Sequence, residues 1–102
     1  MKAAVTVKVV LSPVFRDIFH HRELDVVLPE REASVSGLLL KLSEQSEGQI
    51  DKLVFEKKSD LILPALMVQV NDRTYTGNVL NRQPVPLGDG DTVTLLYYIS
   101  GG

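Results

Sequence analysis

The sequence predicts a two-layer α+β domain: a mixed sheet of four or five strands packed on one main helix. Alternating apolar residues recur in several short segments, the pattern of strands with one buried face. A single stretch, 35–42, carries apolar residues at helical spacing over two turns. A length of 102 residues is that of one domain, so one fold is expected over 1–102.

The first strand spans 3–11, with Val5, Val7, Val9 and Leu11 on one face and Thr6 and Lys8 on the other. Ser12-Pro13 breaks it, because proline lacks the donor a ladder needs. Residues 14–21 read as a mixed connection of no definite form. A second strand follows, where Leu24, Val26 and Leu28 alternate with Glu23, Asp25 and Val27. Ser34 is placed to cap a helix, since its hydroxyl can accept from a free backbone N–H. Val35, Leu38, Leu39 and Leu42 form the apolar stripe of that helix. Gly37 within it costs about 1 kcal/mol of helix propensity relative to Ala. A close approach of the helix to the sheet would explain it. Gly48 is expected to end the helix in a left-handed cap, and Ile50, Leu53 and Val54 add one more apolar turn.

Residues 57–60 read as a charged turn. Leu66, Val68 and Val70 alternate in a third strand, and Asn71-Asp72 can turn it tightly into a short return strand at 73–76. Residues 81–91 hold two prolines and two glycines and read as a loop with turns. Gly88-Asp89-Gly90-Asp91 launches the last strand, 92–99. If the first and last strands lie side by side in the centre, they run parallel and the helix crosses one face. That is the β-grasp arrangement. Val7, Val9, Leu39, Leu42, Val68 and Val93 are the expected core.

Composition removes several function classes. Lys and Arg number 11 and Asp and Glu 13, a net charge of −2, so no basic excess is available to neutralise a nucleic-acid backbone. The absence of cysteine removes disulfides, thiolate nucleophiles and cysteine-ligated metal. No apolar run approaches the roughly 20 residues that span a bilayer. A cytoplasmic protein without membrane or nucleic-acid partners is expected. Adjacent His20 and His21 share no face and lack a third nitrogen ligand, so no metal site is read. Paired acids, Glu30 with Glu32 and Asp89 with Asp91, lie in or beside turns and are read as turn formers. Gly88 and Gly90 lack the lysine and following helix of a phosphate loop.

The end of the chain is the chemically distinctive part. Ser100-Gly101-Gly102 directly follows a strong strand. With Val7-Lys8-Val9-Val10-Leu11, Leu28-Pro29-Glu30, Val70-Asn71-Asp72 and the Leu87-Gly88-Asp89-Gly90-Asp91 run, it resembles the sulfur-carrier branch of the ubiquitin-like proteins, the MoaD/ThiS type. Tyr97-Tyr98-Ile99 stand where the molybdopterin synthase small subunit often has prolines.

The resemblance implies a ubiquitin-like β-grasp fold and a non-catalytic carrier. It implies that the Gly102 carboxylate is adenylated with ATP by a ubiquitin-activating-type adenylyltransferase (MoeB/ThiF-like) and converted to a thiocarboxylate. The sulfur would then pass to a pterin precursor on a molybdopterin synthase large subunit (MoaE-like). No cofactor is bound by the carrier itself. Glycine at 101 and 102 suits threading into a narrow active site, since no Cβ obstructs it. Residues 99–102 reach at most about 13 Å. Alternation puts one of Tyr97 and Tyr98 on the helix side and the other outside. The exposed ring and Ile99 are expected to adjoin the partner surface, because Tyr is enriched at interfaces. A thiamine-type carrier, a modifier joined through Gly102 to lysines, and a β-grasp interaction module with incidental glycines remain open alternatives.

Overall fold

The computed structural model describes residues 4–97. Its elements are β1 (Ala4–Leu11), α1 (Pro13–Phe19), β2 (Glu23–Pro29), a 3-10 turn (Glu30–Glu32), α2 (Val35–Gln45), α3 (Asp51–Val54), β3 (Leu66–Val70), β4 (Arg73–Thr76), α4 (Gly77–Arg82) and β5 (Thr92–Tyr97). The strands form one mixed sheet in the order β2-β1-β5-β3-β4. β1 and β5 lie side by side and run parallel, with Val9 opposite Val93 and Leu11 opposite Leu95. β2 flanks β1 and β3 flanks β5, both antiparallel. This is the ubiquitin-like β-grasp arrangement.

One face of the sheet is buried by the helices. Val5, Val7, Val9 and Leu11 of β1, Val26 and Leu28 of β2, Leu66, Val68 and Val70 of β3 and Val93 and Leu95 of β5 all point into the core. Val35, Leu38, Leu39 and Leu42 of α2 close it from the other side. The alternation in each strand thus fixes which face is covered, and a one-residue slip would expose a whole set.

Local chemistry sets the helix ends. The Ser34 hydroxyl accepts from the Gly37 amide at 3.0 Å, which caps α2. At the other end the left-handed residue that closes the helix is Glu47, φ 56°, one position before the expected Gly48, which follows at φ +82° and whose amide bonds back to the Ser43 carbonyl at 2.8 Å. The reason for Gly37 differs from the expectation. A Cβ there would collide with the Glu32 carbonyl oxygen, so the crowding partner is the 3-10 turn and not the sheet.

Two expected irregular segments are helical. Within 14–21 lies α1, started by Pro13 in its first turn, where a missing N–H costs nothing. Phe15 anchors it by inserting its fully buried ring into the core. His20 ends it in a left-handed conformation, φ 61°. The start of the 81–91 stretch is the last turn of α4, whose cap Thr76 accepts from the Val79 amide at 3.4 Å. Asn81 on α4 then mimics a strand. Its side chain donates to the Ile62 carbonyl and accepts from the Ile62 amide, each at 2.8 Å. This ties the 55–63 segment to the body of the protein.

Truncating a buried leucine removes apolar contacts and leaves a cavity. Leu39→Ala is therefore expected to lower stability by about 2–5 kcal/mol in urea unfolding. Gly37→Ala is expected to destabilise by about 1–3 kcal/mol, because the clash with Glu32 outweighs the gain in helix propensity. The same measurement, made beside an Ala substitution at exposed Ser36, checks the sign.

Candidate functional site

The candidate site is the end of the sheet toward which β5 runs. It is positioned from the far end of the strand. The turn before β5 is a knot of hydrogen bonds. The Asp89 carboxylate accepts from the Thr6 amide at 2.8 Å, and the Gly90 amide donates to the Thr6 carbonyl at 2.8 Å. The Asp91 carboxylate accepts from the Gly88 amide at 2.7 Å and from the Asn71 side-chain amide at 3.2 Å. Asn71 reaches into the same knot: its side-chain oxygen accepts from the Thr92 amide at 3.0 Å, and its own amide donates to the Thr92 carbonyl at 2.8 Å. Gly90 takes φ +90°, which a side chain would resist. β1, the β3–β4 hairpin and β5 are thereby locked in register at one end. Asp89 and Asp91 act as turn acceptors, as read from their spacing.

At the other end, β5 leaves between α1 and the start of β3. The Ser12 amide donates to the Leu95 carbonyl at 3.2 Å. Tyr97 pairs with Leu66 across the ladder and meets Phe15 edge to face, ring centroids 6.3 Å apart at 73°. Tyr97 is therefore the tyrosine of the helix side, half-buried against the core. Tyr98, Ile99, Ser100, Gly101 and Gly102, the other expected site residues, lie outside the described residues.

The open face beside this exit carries side chains that sequence reading did not single out. Leu96 and Met67 are direct cross-strand neighbours there, with Val10 one strand away. All three are half-buried. Thr94 lies opposite Gln69, and Gln69 opposite Thr74, so the surround is uncharged toward β4, while Glu23 of β2 faces Val10 on the other side. The alternation of β3 and β5 already contained this patch, but only the strand order brings its three members together.

A sheet gripping a helix, a central parallel pair and a hydrogen-bonded acidic turn before the last strand define a ubiquitin-like β-grasp protein. Solved structures of the same shape give that class its closer company. The small archaeal modifier protein 1 of Methanosarcina acetivorans matches over 99% of this chain and 100% of its own, with TM-score 0.76 and 23% identity. The protein of the same name from Haloferax volcanii matches over 95% and 99%, with TM-score 0.75 and 18% identity. A candidate molybdopterin converting factor, subunit 1, of Pyrococcus furiosus matches over 93% and 99%, with TM-score 0.68 and 25% identity. These neighbours support the MoaD/ThiS-type resemblance. No family model and no curated protein matches the sequence.

Tyr97→Ala is expected to cost about 2–4 kcal/mol of folding free energy, because it removes a half-buried ring and its contact with Phe15. Tyr97→Phe should stay within about 1 kcal/mol of the wild type, as contact with Phe15 uses the ring. Thermal unfolding of both variants checks the assignment of Tyr97 to the core side.

Proposed function

We propose that this chain is a sulfur carrier that serves molybdopterin biosynthesis in the cytoplasm. The Gly102 carboxylate attacks the α-phosphate of ATP on a ubiquitin-activating-type adenylyltransferase, releasing pyrophosphate and forming an acyl-adenylate. A persulfide sulfur attacks the acyl carbon and AMP leaves. A thiol then cleaves the sulfur–sulfur bond, leaving the thiocarboxylate on Gly102. The carrier supplies no acid or base and binds no cofactor. Its contribution is presentation of the C-terminal segment. The large subunit of a molybdopterin synthase would be the second partner, where the sulfur is passed to a pterin precursor.

The observation that carries this reading is the union of the pinned central strand with the Ser100-Gly101-Gly102 sequence that follows it. The likeness to a candidate molybdopterin converting factor subunit supports the same direction. A second reading has its own support. Two of the neighbours are small archaeal modifiers, so conjugation of Gly102 to lysine amines of other proteins is an equal outcome of the same activation step.

In either reading the partner docks on the body of the protein before the C-terminal residues enter its active site. A short peptide alone buries too little, since specific interfaces need about 800 Å² on each side. The open-face patch of Leu96, Met67 and Val10 adjoins the exit of β5 and supplies an uncharged apolar centre.

Intact-mass analysis of the protein from its native cell tests the proposal. Exchange of one oxygen for sulfur at Gly102 supports the carrier, and adducts on lysines of other proteins support the modifier. An unmodified chain without adducts refutes both. Deleting Gly101 and Gly102 should abolish adenylation in an ATP–pyrophosphate exchange assay and leave the melting temperature unchanged. Leu96→Glu should weaken binding of the activating enzyme at least about tenfold while circular dichroism stays that of the wild type.

A further inference from the structure

β2 ends the sheet, and its outer side is open among the described residues. The direction of each backbone group on it follows from the ladder. The Leu11 amide donates to the Arg22 carbonyl at 2.9 Å, so odd residues of β1 and even residues of β2 form the hydrogen-bonded pairs. The opposite side of β1 agrees, since the amides of Thr6 and Lys8 bond toward the turn before β5. The N–H and C=O groups of Glu23, Asp25 and Val27 therefore point away from the sheet. Their side chains are exposed on the open face, and Val27 is 53% exposed. A row of outward backbone groups is a template for one more strand.

The side chains narrow what that strand can be. Glu23 and Asp25 line the edge. Lys8 faces Asp25 from one strand inward, while Glu23 faces Val10 and has no cross-strand cation. In the turn that follows, Glu30 and Glu32 flank Arg31, whose guanidinium lies 4.0 Å from the Glu32 carboxylate. A second copy of this chain fits poorly. The symmetric antiparallel register that uses all three outward residues sets Asp25 against Asp25, and like charges directly opposite destabilise a strand pair. The other edge is a different case, for β4 is only four residues long and runs directly into α4.

We propose that β2 is a docking edge for an extended segment of a partner protein, added antiparallel as a sixth strand. Its pattern is apolar-x-basic-x-basic: the apolar residue lies opposite Val27 and the cations opposite Asp25 and Glu23. Backbone hydrogen bonds supply the affinity and the alternate side chains the selectivity. The edge is separated from β5 by β1, so such a partner is held while the exit of β5 stays accessible. The inference does not depend on the chemistry at Gly102.

The test is an NMR titration of the full-length isotope-labelled chain with the capped peptide Ser-Val-Thr-Arg-Thr-Lys-Ser. Its control has glutamate in place of arginine and lysine. The expected result is shifts confined to β1 and β2 and slowed hydrogen exchange at the Glu23, Asp25 and Val27 amides, absent with the control peptide. Val27→Pro removes the outward donor together with the exposed Val27 side chain while sparing the ladder to β1, and should weaken binding at least about tenfold. The charge variant Glu23→Gln with Asp25→Asn keeps every backbone group and should weaken it about fivefold. Shifts elsewhere, equal binding of the control peptide, or an unchanged affinity in both variants would overturn the proposal. So would concentration-dependent β2 shifts without peptide, which identify a second copy as the occupant.

Discussion

The register of β5 between β1 and β3 is the constraint on which the rest of this structure depends. A central strand contributes to the core on one face and to the open surface on the other. A slip by one residue would bury Thr94 and expose Val93 and Leu95. The register is set at the start of the strand. Asp89 and Gly90 grip Thr6 of β1, while Asp91 and Thr92 hold Asn71 of the β3–β4 hairpin. These partners lie far apart in sequence, and β5 is the last strand to enter the sheet. The turn ahead of it therefore gathers three strands that the chain itself keeps separate.

The consequence is felt at the opposite end of the strand. With β5 fixed, Leu95 faces the core, Leu96 faces the open side beside Met67, and Tyr97 turns back onto Phe15. Helix α1 fills the space under the exit of the strand, and the Ser12 amide bonds to the Leu95 carbonyl just before it. The site thus has a packed base on the helix side and an apolar patch on the other. This arrangement fits the proposed role of presentation, because chemistry performed by a partner needs the delivered group to leave from a fixed point.

Two surfaces divide the sheet, one on the open face of β5 and its neighbours and one on the outer edge of β2. The open-face patch beside the exit is apolar, with Glu23 of β2 at its rim beside Val10, whereas the outer edge of β2 is acidic and offers backbone groups. A small fold with a single core can carry two docking surfaces in this way, since each strand offers either a face or an edge but the core needs only one side.

Much of this was legible in the residues themselves. Alternation in β1, β2, β3 and β5 and the stripe of α2 were decided locally, because each reports the face that its own segment buries. Ser34 marked the start of α2 and Gly48 its end to within one residue for the same reason, as capping uses groups within a few residues, although Glu47 takes the left-handed position. The turn roles of Asp89 and Asp91 were likewise readable from their glycines. Other features depended on contacts made by distant parts of the chain. Within 14–21 the residues form a helix whose Val14, Phe15, Ile18 and Phe19 turn to the core; their spacing and Pro13 are local signals, but two turns are too short for periodicity alone to decide. Gly37 is required by a carbonyl of the 3-10 turn and Asn81 by a backbone nineteen residues earlier in the chain. Alternation puts Tyr97 on the face of Val93 and Leu95, and only its ring contact with Phe15 needed the tertiary structure. The sequence by itself determined which residues alternate, cap and turn, since those depend on neighbours along the chain. Only the tertiary structure decided which strand is central, which edge is open and which side chains meet, since those depend on neighbours in space.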